Sequence, residues 1–426
     1  MVRIVLDEWC GICTIFPGMK LSSHTRIPIR FGKTLLLVFG GIFLIHCTGE
    51  NINSPAKTMQ PFQVNENFIL RTGEVYPVKG IVYVPGFPGY LPWEIEKSTH
   101  LPAPVKTRIR SDLEGIRETG ANTVRLWGAP RYCYEAIREL GGLAILQTIW
   151  IDAMAPDFQN ESLKRQTREY IRFVVDRIHS VFQEPPLIGY LVGNELEQSS
   201  ILSTNRAHPE VSIFSGAYIK TDSSRTATEC FLAEMAEYII SYSVEMYNYR
   251  PLVSYANDIR TFESLKTPFL DFQSQNAYSY AVPYYRPEQT PGSTSGTLYQ
   301  GWIETLKTAQ SNQPLLISET GLSVSPGSPH TGPPNYGYGG NTEAEQAAGI
   351  LQNLQDIETA GYPIAGVIVH EFLDSWWKYG RDDSFIHEPG DPEEWFGLVS
   401  LHPDGDWFAT WPRAAFYTVQ SHWTVN

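Results

Sequence analysis

The sequence is low in charge, poor in cysteine and free of any apolar run long enough to span a bilayer comfortably. Charged residues make up 18% of its 426 residues, and the formal net charge is −14. Phosphate binding needs a basic surface, so an acidic chain argues against a nucleic-acid partner. No glycine-rich phosphate loop lies between a predicted strand and helix, and no G-x-S-x-G nucleophile motif is present.

The few cysteines and histidines form no recognisable metal motif. Cys10 and Cys13 have the C-x-x-C spacing, but they precede the leader and have no second pair. His370-Glu371 begins like the zinc motif H-E-x-x-H, but Asp374 occupies the place of the second histidine. We therefore predict no metal and no organic cofactor. Whether the two cysteines of the exported part are free thiols or one disulfide stays open: Cys133 and Cys230.

The N-terminal segment, residues 1–46, has the pattern of an export signal. Basic residues precede an uncharged stretch of signal-peptide length, Thr34 to Ile45. The following cysteine resembles that of a bacterial lipoprotein signal, in which Cys47 would carry the lipid. His46 departs from the small residue usual at its position, so simple secretion or an uncleaved anchor stays open. We predict an exported, cell-envelope lipoprotein attached to the membrane only through this anchor, with residues 47–66 as a polar tether.

From residue 67 onward, strand-like and helix-like stretches alternate. The predicted strands are short and apolar, and the stretches between them have one apolar face at helical spacing. The eight strands are Lys79–Pro85, Asn122–Trp127, Leu143–Asp152, Leu187–Val192, Pro251–Ala256, Phe269–Asn276, Pro314–Ser318 and Ala365–His370. A hairpin over Phe68–Val78 is expected to close the bottom. This alternation predicts an α/β fold, a single (β/α)8 TIM barrel domain over residues 67–426.

Two of these strands end in a glutamate. Glu195 follows strand four in the turn Gly193-Asn194-Glu195, and Glu319 follows strand seven. The carboxyl ends of parallel barrel strands meet at one rim, where barrel enzymes keep their chemistry. A retaining glycosidase needs two carboxyl groups there, one to protonate the leaving oxygen and one to attack the anomeric carbon. In the alternative interpretation, both glutamates only cap helix N-termini.

This pattern resembles the retaining glycoside hydrolases of the large (β/α)8 superfamily called clan A, over roughly residues 79–420. Arg125 after strand two, Tyr278 after strand six, and Trp376 with Trp377 after strand eight fit the resemblance. Residues 78–83, 396–400 and the Glu371 segment are similar to fungal β-1,3-glucanosyltransferases. The Asn276-x-Tyr278 element is more similar to the β-galactosidase and β-glucuronidase family, so the family assignment stays open.

The resemblance and the chemistry together assign a role to each candidate site residue. Glu195 would be the acid/base with a raised pKa, and Glu319 the nucleophile. Asn194 would bind the sugar 2-hydroxyl, while Arg125 and Tyr278 would hold Glu319 ionised. The remaining candidates are substrate-binding side chains. The resemblance implies this role for Trp376. Tyr83 and Trp127 would be platform aromatics or core residues, and Glu371, with Asp374 beside it, a hydroxyl ligand or salt-bridge partner.

We therefore predict a retaining β-glycosidase or transglycosidase acting on β-linked glucan-like poly- or oligosaccharides by double displacement. Hydrolysis and transfer share one covalent intermediate, so the sequence does not separate them. The alternative from another functional class is a surface lipoprotein that binds carbohydrate on a barrel scaffold without turnover. The identity of the sugar depends on the shape of the rim loops and is not predicted.

Overall fold

The computed structural model describes residues 58–281, 293–309, 313–378, 388–401 and 410–425. Within them, eight parallel strands close into a barrel, which confirms the predicted TIM barrel. The barrel strands are β4 Val78–Tyr83, β5 Thr123–Leu126, β6 Ala144–Ile149, β7 Leu187–Asn194, β8 Leu252–Asn257, β9 Gln273–Asn276, β10 Leu315–Thr320 and β11 Ile364–Val369. They are preceded by β1 Phe62–Asn65, β2 Phe68–Arg71 and β3 Glu74–Val75. The predicted leader and Cys47 lie outside the described residues.

Helices surround the barrel, and most of them connect one barrel strand to the next. Those described are α1 Pro92–Lys97, α2 Ala103–Glu118, α3 Arg131–Leu140, α4 Glu161–His179, α5 Gln198–Ala207, α6 Ala227–Tyr247, α7 Leu298–Ala309, α8 Glu343–Ala360 and α9 Ala414–Val425. A capping box, in which Thr342 and Glu345 exchange hydrogen bonds, begins α8. Strands β12 Val399–Leu401 and β13 Thr410–Pro412 pair antiparallel near the end. Within the described part of the chain, no helix is both long and apolar enough to cross a membrane.

The barrel buries apolar side chains on both of its faces. Val82, Leu146 and Ile368 belong to the cluster inside the barrel, whereas alternate residues such as Ile81 pack outward against the helices. This double burial explains the nearly continuous apolar character of the strands. Cys133 and Cys230 are both buried free thiols, so the two cysteines do not form a disulfide in the structure.

A three-stranded antiparallel sheet formed by β1, β2 and β3 lies at the amino-terminal end of the barrel. Phe62 and Ile69 are almost fully buried and join the cluster inside the barrel. The predicted closing hairpin therefore exists, with one additional strand. That strand, Phe62–Asn65, begins inside the segment predicted as a tether, because burial of Phe62 outweighs the polar character of its neighbours.

Candidate active site

The end of β7 places Glu195 at the carboxyl-terminal rim. Gly193 and Glu195 have φ angles of 89° and 46°, both in the left-handed region. For a residue other than glycine, this conformation costs about 1–3 kcal/mol. Two backbone hydrogen bonds hold the turn: the Glu195 amide donates to the Ala256 carbonyl at 2.9 Å, and the Leu196 amide donates to the Tyr255 hydroxyl at 2.8 Å. The neighbouring strand β8 thus fixes the direction of Glu195.

Glu319, at the end of β10, has a buried side chain held by two donors from other strands. Arg125 Nη1, on β5, donates to Oε1 at 2.7 Å. The hydroxyl of Tyr278, which follows β9, donates to Oε2 at 2.5 Å. The Glu319 side chain is 4% exposed, and that of Glu195 is 28% exposed. One carboxyl group is therefore enclosed, while the other is open to a ligand.

Two asparagines connect the glutamates. Arg125 Nη2 and Asn276 Nδ2 both donate to Asn194 Oδ1, at 2.8 and 3.2 Å. Asn276 Nδ2 also donates to Glu195 Oε1 at 2.9 Å, and its own Oδ1 accepts from Ser318. The structure thus brings five of the sequence-predicted residues into one network: Arg125, Asn194, Glu195, Tyr278 and Glu319. Asn276 also joins this network; it belongs to the Asn-x-Tyr element, for which the sequence predicts no separate role of the asparagine.

A second group of charges surrounds Glu195, and two of its members, Arg260 and Asp258, are not among the sequence-predicted residues. Arg260 donates to Glu195 Oε2 at 3.1 Å and to Glu197 Oε1 at 3.2 Å, and it also pairs with Asp258. Asp258 directly follows β8, so the rule that singled out Glu195 and Glu319 would have found it. Arg260 has no such signal, because it lies in an irregular turn.

The surroundings of Glu195 favour its protonated form. Burial raises the pKa of Glu195 to about 8, the charges of Asp258 and Glu319 add to this effect, and Arg260 and Asn276 oppose it. At neutral pH the group therefore retains its proton and can act as an acid. Loss of solvation is the leading cause, as in other carboxyl groups kept protonated for catalysis.

The end of β11 contributes an ion-pair cluster. Lys378 Nζ lies 3.0 Å from Glu371 Oε1 and 3.2 Å from His370 Nε2. Burial raises the pKa of Glu371 to about 7, and Lys378 opposes the rise. Glu371 thus adopts the salt-bridge alternative, and so does Asp374, which binds Arg413 through both oxygens at 2.7 Å. No motif or spacing in the sequence points to Lys378.

The predicted substrate-binding aromatic residues differ in burial: two are buried in the core, and one is half-buried. Tyr83 is fully buried between β4 and α2, where its hydroxyl donates to Asp112 Oδ2 at 2.9 Å. Trp376, 2% exposed, belongs to the same outer layer. Tyr83 faces the helices because alternate side chains of a strand point to opposite faces of the sheet. Both side chains pack in the core, and their substrate-binding role stays a prediction. Trp127 is only half-buried and stacks on His370 at 5.3 Å, so its substrate-binding role stays a prediction.

Asn194 is placed to donate to a ligand. Its Oδ1 is occupied by two donors, and its Nδ2 makes no hydrogen bond to the described residues.

Within the part of the chain that the structure covers, no group of three or more His, Cys, Asp or Glu side chains is arranged to hold a metal ion.

Comparisons with known proteins show a similarity of fold. No family model matches the chain, and no curated protein does. Among solved structures, a GH2 β-galacturonidase from Eisenbergiella tayi bound to galacturonate is 18% identical with a TM-score of 0.54, covering 86% of this chain and 54% of that one. A β-glucuronidase from Ruminococcus gnavus in complex with D-glucaro 1,5-lactone is 14% identical with a TM-score of 0.55, covering 85% and 52%.

The chain thus spans about half the length of these solved structures. At such identities the likeness shows a shared barrel fold and nothing about the reaction. The two solved structures are named for activities like those of the β-galactosidase and β-glucuronidase family, which the Asn276-x-Tyr278 element resembles. The glucanosyltransferase resemblance stays a prediction.

Proposed function

We propose that this chain is a retaining β-glycosidase in which Glu195 is the acid/base and Glu319 the nucleophile. The observation that carries the proposal is the single hydrogen-bond network that joins the two glutamates. In that network a carboxyl group with a raised pKa stands opposite a carboxyl group bound by a guanidinium and a phenol. Two groups in such contrasting environments suit the two roles of a double displacement.

In the first step, the Glu195 proton moves to the glycosidic oxygen while a Glu319 oxygen bonds to the anomeric carbon. The carbon–oxygen bond to the leaving group breaks, and its electron pair stays on that oxygen. Asn194 Nδ2 would donate to the sugar 2-hydroxyl, a contact that strengthens as positive charge develops on the ring. Tyr278 and Arg125 hold the attacking carboxylate in place during this step.

In the second step, the Glu195 carboxylate accepts a proton from water or from a sugar hydroxyl. The oxygen that loses the proton attacks the anomeric carbon, and the bond to Glu319 breaks, which returns both glutamates to their first state. Attack by water gives hydrolysis, and attack by a sugar gives transfer. We propose β-linked glucan-like poly- or oligosaccharides as substrates, with either outcome.

The names of the solved relatives support the bond type in this proposal. They are a β-galacturonidase and a β-glucuronidase, both named for cleavage of β-glycosides. The glucan-like substrate rests instead on the similarity of residues 78–83 and 396–400 to β-1,3-glucanosyltransferases. These two lines of support differ in the sugar that they favour.

The test is covalent trapping with a panel of 2-deoxy-2-fluoro-β-glycosides carrying a good leaving group. Fluorine next to the anomeric carbon slows both steps, and the activated leaving group restores the first, so the glycosyl-enzyme accumulates. We expect a mass increase of one fluorosugar on the peptide that contains Glu319, and none in Glu319→Gln. An adduct on another residue would overturn the assignment. No adduct from any sugar, with carbohydrate binding unchanged in Glu195→Gln, would favour the binding-only alternative.

We also propose export and lipid attachment at Cys47, on the basis of the leader pattern alone. Expression in a bacterium with lipoprotein processing would test it. The expected result is a membrane-bound form that becomes soluble or unprocessed in Cys47→Ala. A wild-type protein that is recovered soluble, with an unmodified Cys47, would refute lipid attachment.

A further inference from the structure

Two buried donor atoms on the stacked rings of Trp127 and His370 have no hydrogen-bond partner among the described residues: Trp127 Nε1 and His370 Nδ1. His370 is 2% exposed, and its Nδ1 lies 3.9 Å from Glu319 Oε2. A buried donor that stays unsatisfied costs about 1–3 kcal/mol. A ligand with acceptor oxygens would remove this cost.

The ring of His370 is held in one orientation. Trp127 stacks on it, with ring centroids 5.3 Å apart and an interplanar angle of 29°. The rings of Phe396 and Tyr278 lie edge-on at 5.1 and 6.1 Å. Three aromatic side chains enclose the imidazole and keep the ring from turning over. Each of its two nitrogens therefore has its own set of neighbours. Nε2 lies beside Lys378, and Nδ1 lies beside Glu319.

Lys378 decides which nitrogen carries the proton. Burial opposes the charged form of Lys378, but Glu371 and Glu393 overcome it and raise its pKa. Nε2 has two polar neighbours, Lys378 Nζ at 3.2 Å and Glu371 Oε1 at 3.5 Å. An ammonium group can only donate, so at the shorter of these two distances Nε2 accepts from Lys378. Burial and the charges of Lys378 and Arg125 together lower the pKa of His370 well below its usual value. The imidazole is therefore neutral, with its proton on Nδ1.

Among the described residues of the rim, the electrostatic surroundings do not suit a negatively charged sugar. In the described part of the rim, three cations are already paired with six carboxyl groups: Arg125 with Glu319, Lys378 with Glu371 and Glu393, and Arg260 with Glu195, Glu197 and Asp258. With Glu195 protonated, the other five carboxyl groups still outnumber these three cations, so a uronate carboxylate could pair with one of them only by displacing a carboxylate already bound there. A buried charge without a partner is strongly unfavourable. A neutral hydroxyl has no such requirement.

We propose that Trp127, His370 and Lys378 form a subsite for an uncharged sugar, in which the Nδ1–H group of His370 donates to a sugar hydroxyl. Lys378 is a positioning residue that keeps His370 in this tautomer, and it does not receive a substrate carboxylate. The proposal rests on the proposed glycosidase function and names its substrate class. It sets this chain apart from the solved relatives, whose names specify uronic acid substrates.

The tautomer is tested without any substrate. Nitrogen-15 histidine spectra of the whole protein would be compared with those of His370→Asn, which identifies the His370 signals by their loss. Between pH 6 and 8 we expect a protonated Nδ1 and an unprotonated Nε2, with no titration. In Lys378→Met, Nε2 loses its donor, and the signals should move toward a mixture of tautomers. A wild-type ring that is protonated on Nε2, or charged, would overturn the proposal.

The substrate class is tested with aryl β-glycosides that share one leaving group. We expect kcat/KM to be at least tenfold higher for a β-glucoside or β-galactoside than for the matching β-glucuronide or β-galacturonide. The reverse preference would overturn the subsite but leave the glycosidase function intact. If no member is cleaved and no fluorosugar adduct forms, the glycosidase function itself fails, and the subsite fails with it.

A pair of His370 variants tests the donor. Asparagine places an amide nitrogen near the position of Nδ1, whereas phenylalanine keeps a ring and has no donor. On a neutral substrate we expect at least a tenfold loss of kcat/KM in His370→Phe and a clearly smaller loss in His370→Asn. Equal losses at equal melting temperatures would contradict the donor role. His422→Asn is the control, because His422 pairs with Glu358 between outer helices.

Discussion

Arg125 Nη1 lies 2.7 Å from Glu319 Oε1, and both side chains are buried inside the barrel. The guanidinium also donates to Asn194, Thr148 and the Ser318 carbonyl, so all of its nitrogens are used. Breaking a buried pair by removing one partner costs about 3–5 kcal/mol, because the remaining charge is uncompensated. We expect Arg125→Met to lower the free energy of unfolding by about that amount at pH 7, measured by chemical denaturation.

The control for this prediction is Arg131→Met. Arg131 pairs with Glu135 on an exposed helix face, where ion pairs contribute about 0–1 kcal/mol. If the two variants lost the same stability, Arg125 would not be a central support of the site.

The pH dependence of catalysis should follow Glu195. The first step needs Glu195 protonated, and its pKa is raised to about 8 by burial and by the charges of Asp258 and Glu319. We therefore expect kcat/KM to fall as pH rises through about 8. In Asp258→Asn, one of the charges that raise this pKa is removed, so the fall should occur about 1 unit lower.

Arg260→Met provides the opposite shift. Arg260 lowers the pKa of Glu195, so its removal should move the fall in kcat/KM to higher pH. The profiles would be measured with one aryl glycoside over pH 5 to 10. Shifts in the same direction for both variants would show that another group controls the profile.

The Tyr278 hydroxyl is expected to contribute to catalysis through Glu319. Tyr278→Phe removes the donor to Oε2, and loss of one such donor costs about 10²–10³ in rate. We expect a fall of this order in kcat, together with a lower melting temperature, because the buried Glu319 Oε2 also loses its donor. Tyr249→Phe is the matched control, because its buried hydroxyl donates to the Leu187 carbonyl where β7 begins. That variant should lose stability and keep its kcat.

Tyr83 is expected to matter for stability alone. Its hydroxyl donates to Asp112, and Arg108 also binds this carboxylate. Tyr83→Phe leaves a buried acceptor with one donor fewer, which costs about 1–3 kcal/mol. We expect a lower melting temperature and an unchanged KM, in contrast to Tyr417→Phe, an exposed tyrosine whose loss should change neither. A raised KM in Tyr83→Phe would support the platform role.

The barrel was predictable because each strand can be recognised from its own short stretch of sequence. A parallel strand that is buried on both faces needs a nearly continuous apolar run, as β7 and β10 have. The glutamates were predictable for a related reason. A polar residue directly after such a run must lie at the rim, whatever the rest of the chain does.

The site residues that the sequence does not predict have no local pattern that points to them. Arg260 lies in an irregular turn after β8, and Lys378 lies eight residues beyond His370, so no periodicity points to either. Their roles arise from contacts with other strands. For Tyr83, the strand-end position does not tell which face of the sheet the side chain takes, and only the structure shows that it packs against the helices.

The sequence by itself determined the order of strands and helices and the two strand ends that carry Glu195 and Glu319. The tertiary structure alone decided how Arg125, Asn194 and Asn276 join those ends, and which way each aromatic ring faces. It also decided the pKa of Glu195, because burial and the charge of Asp258 act only when β7 and β8 are adjacent. Apolar periodicity is written along the chain, whereas solvation and charge depend on neighbours that only closure of the barrel brings together.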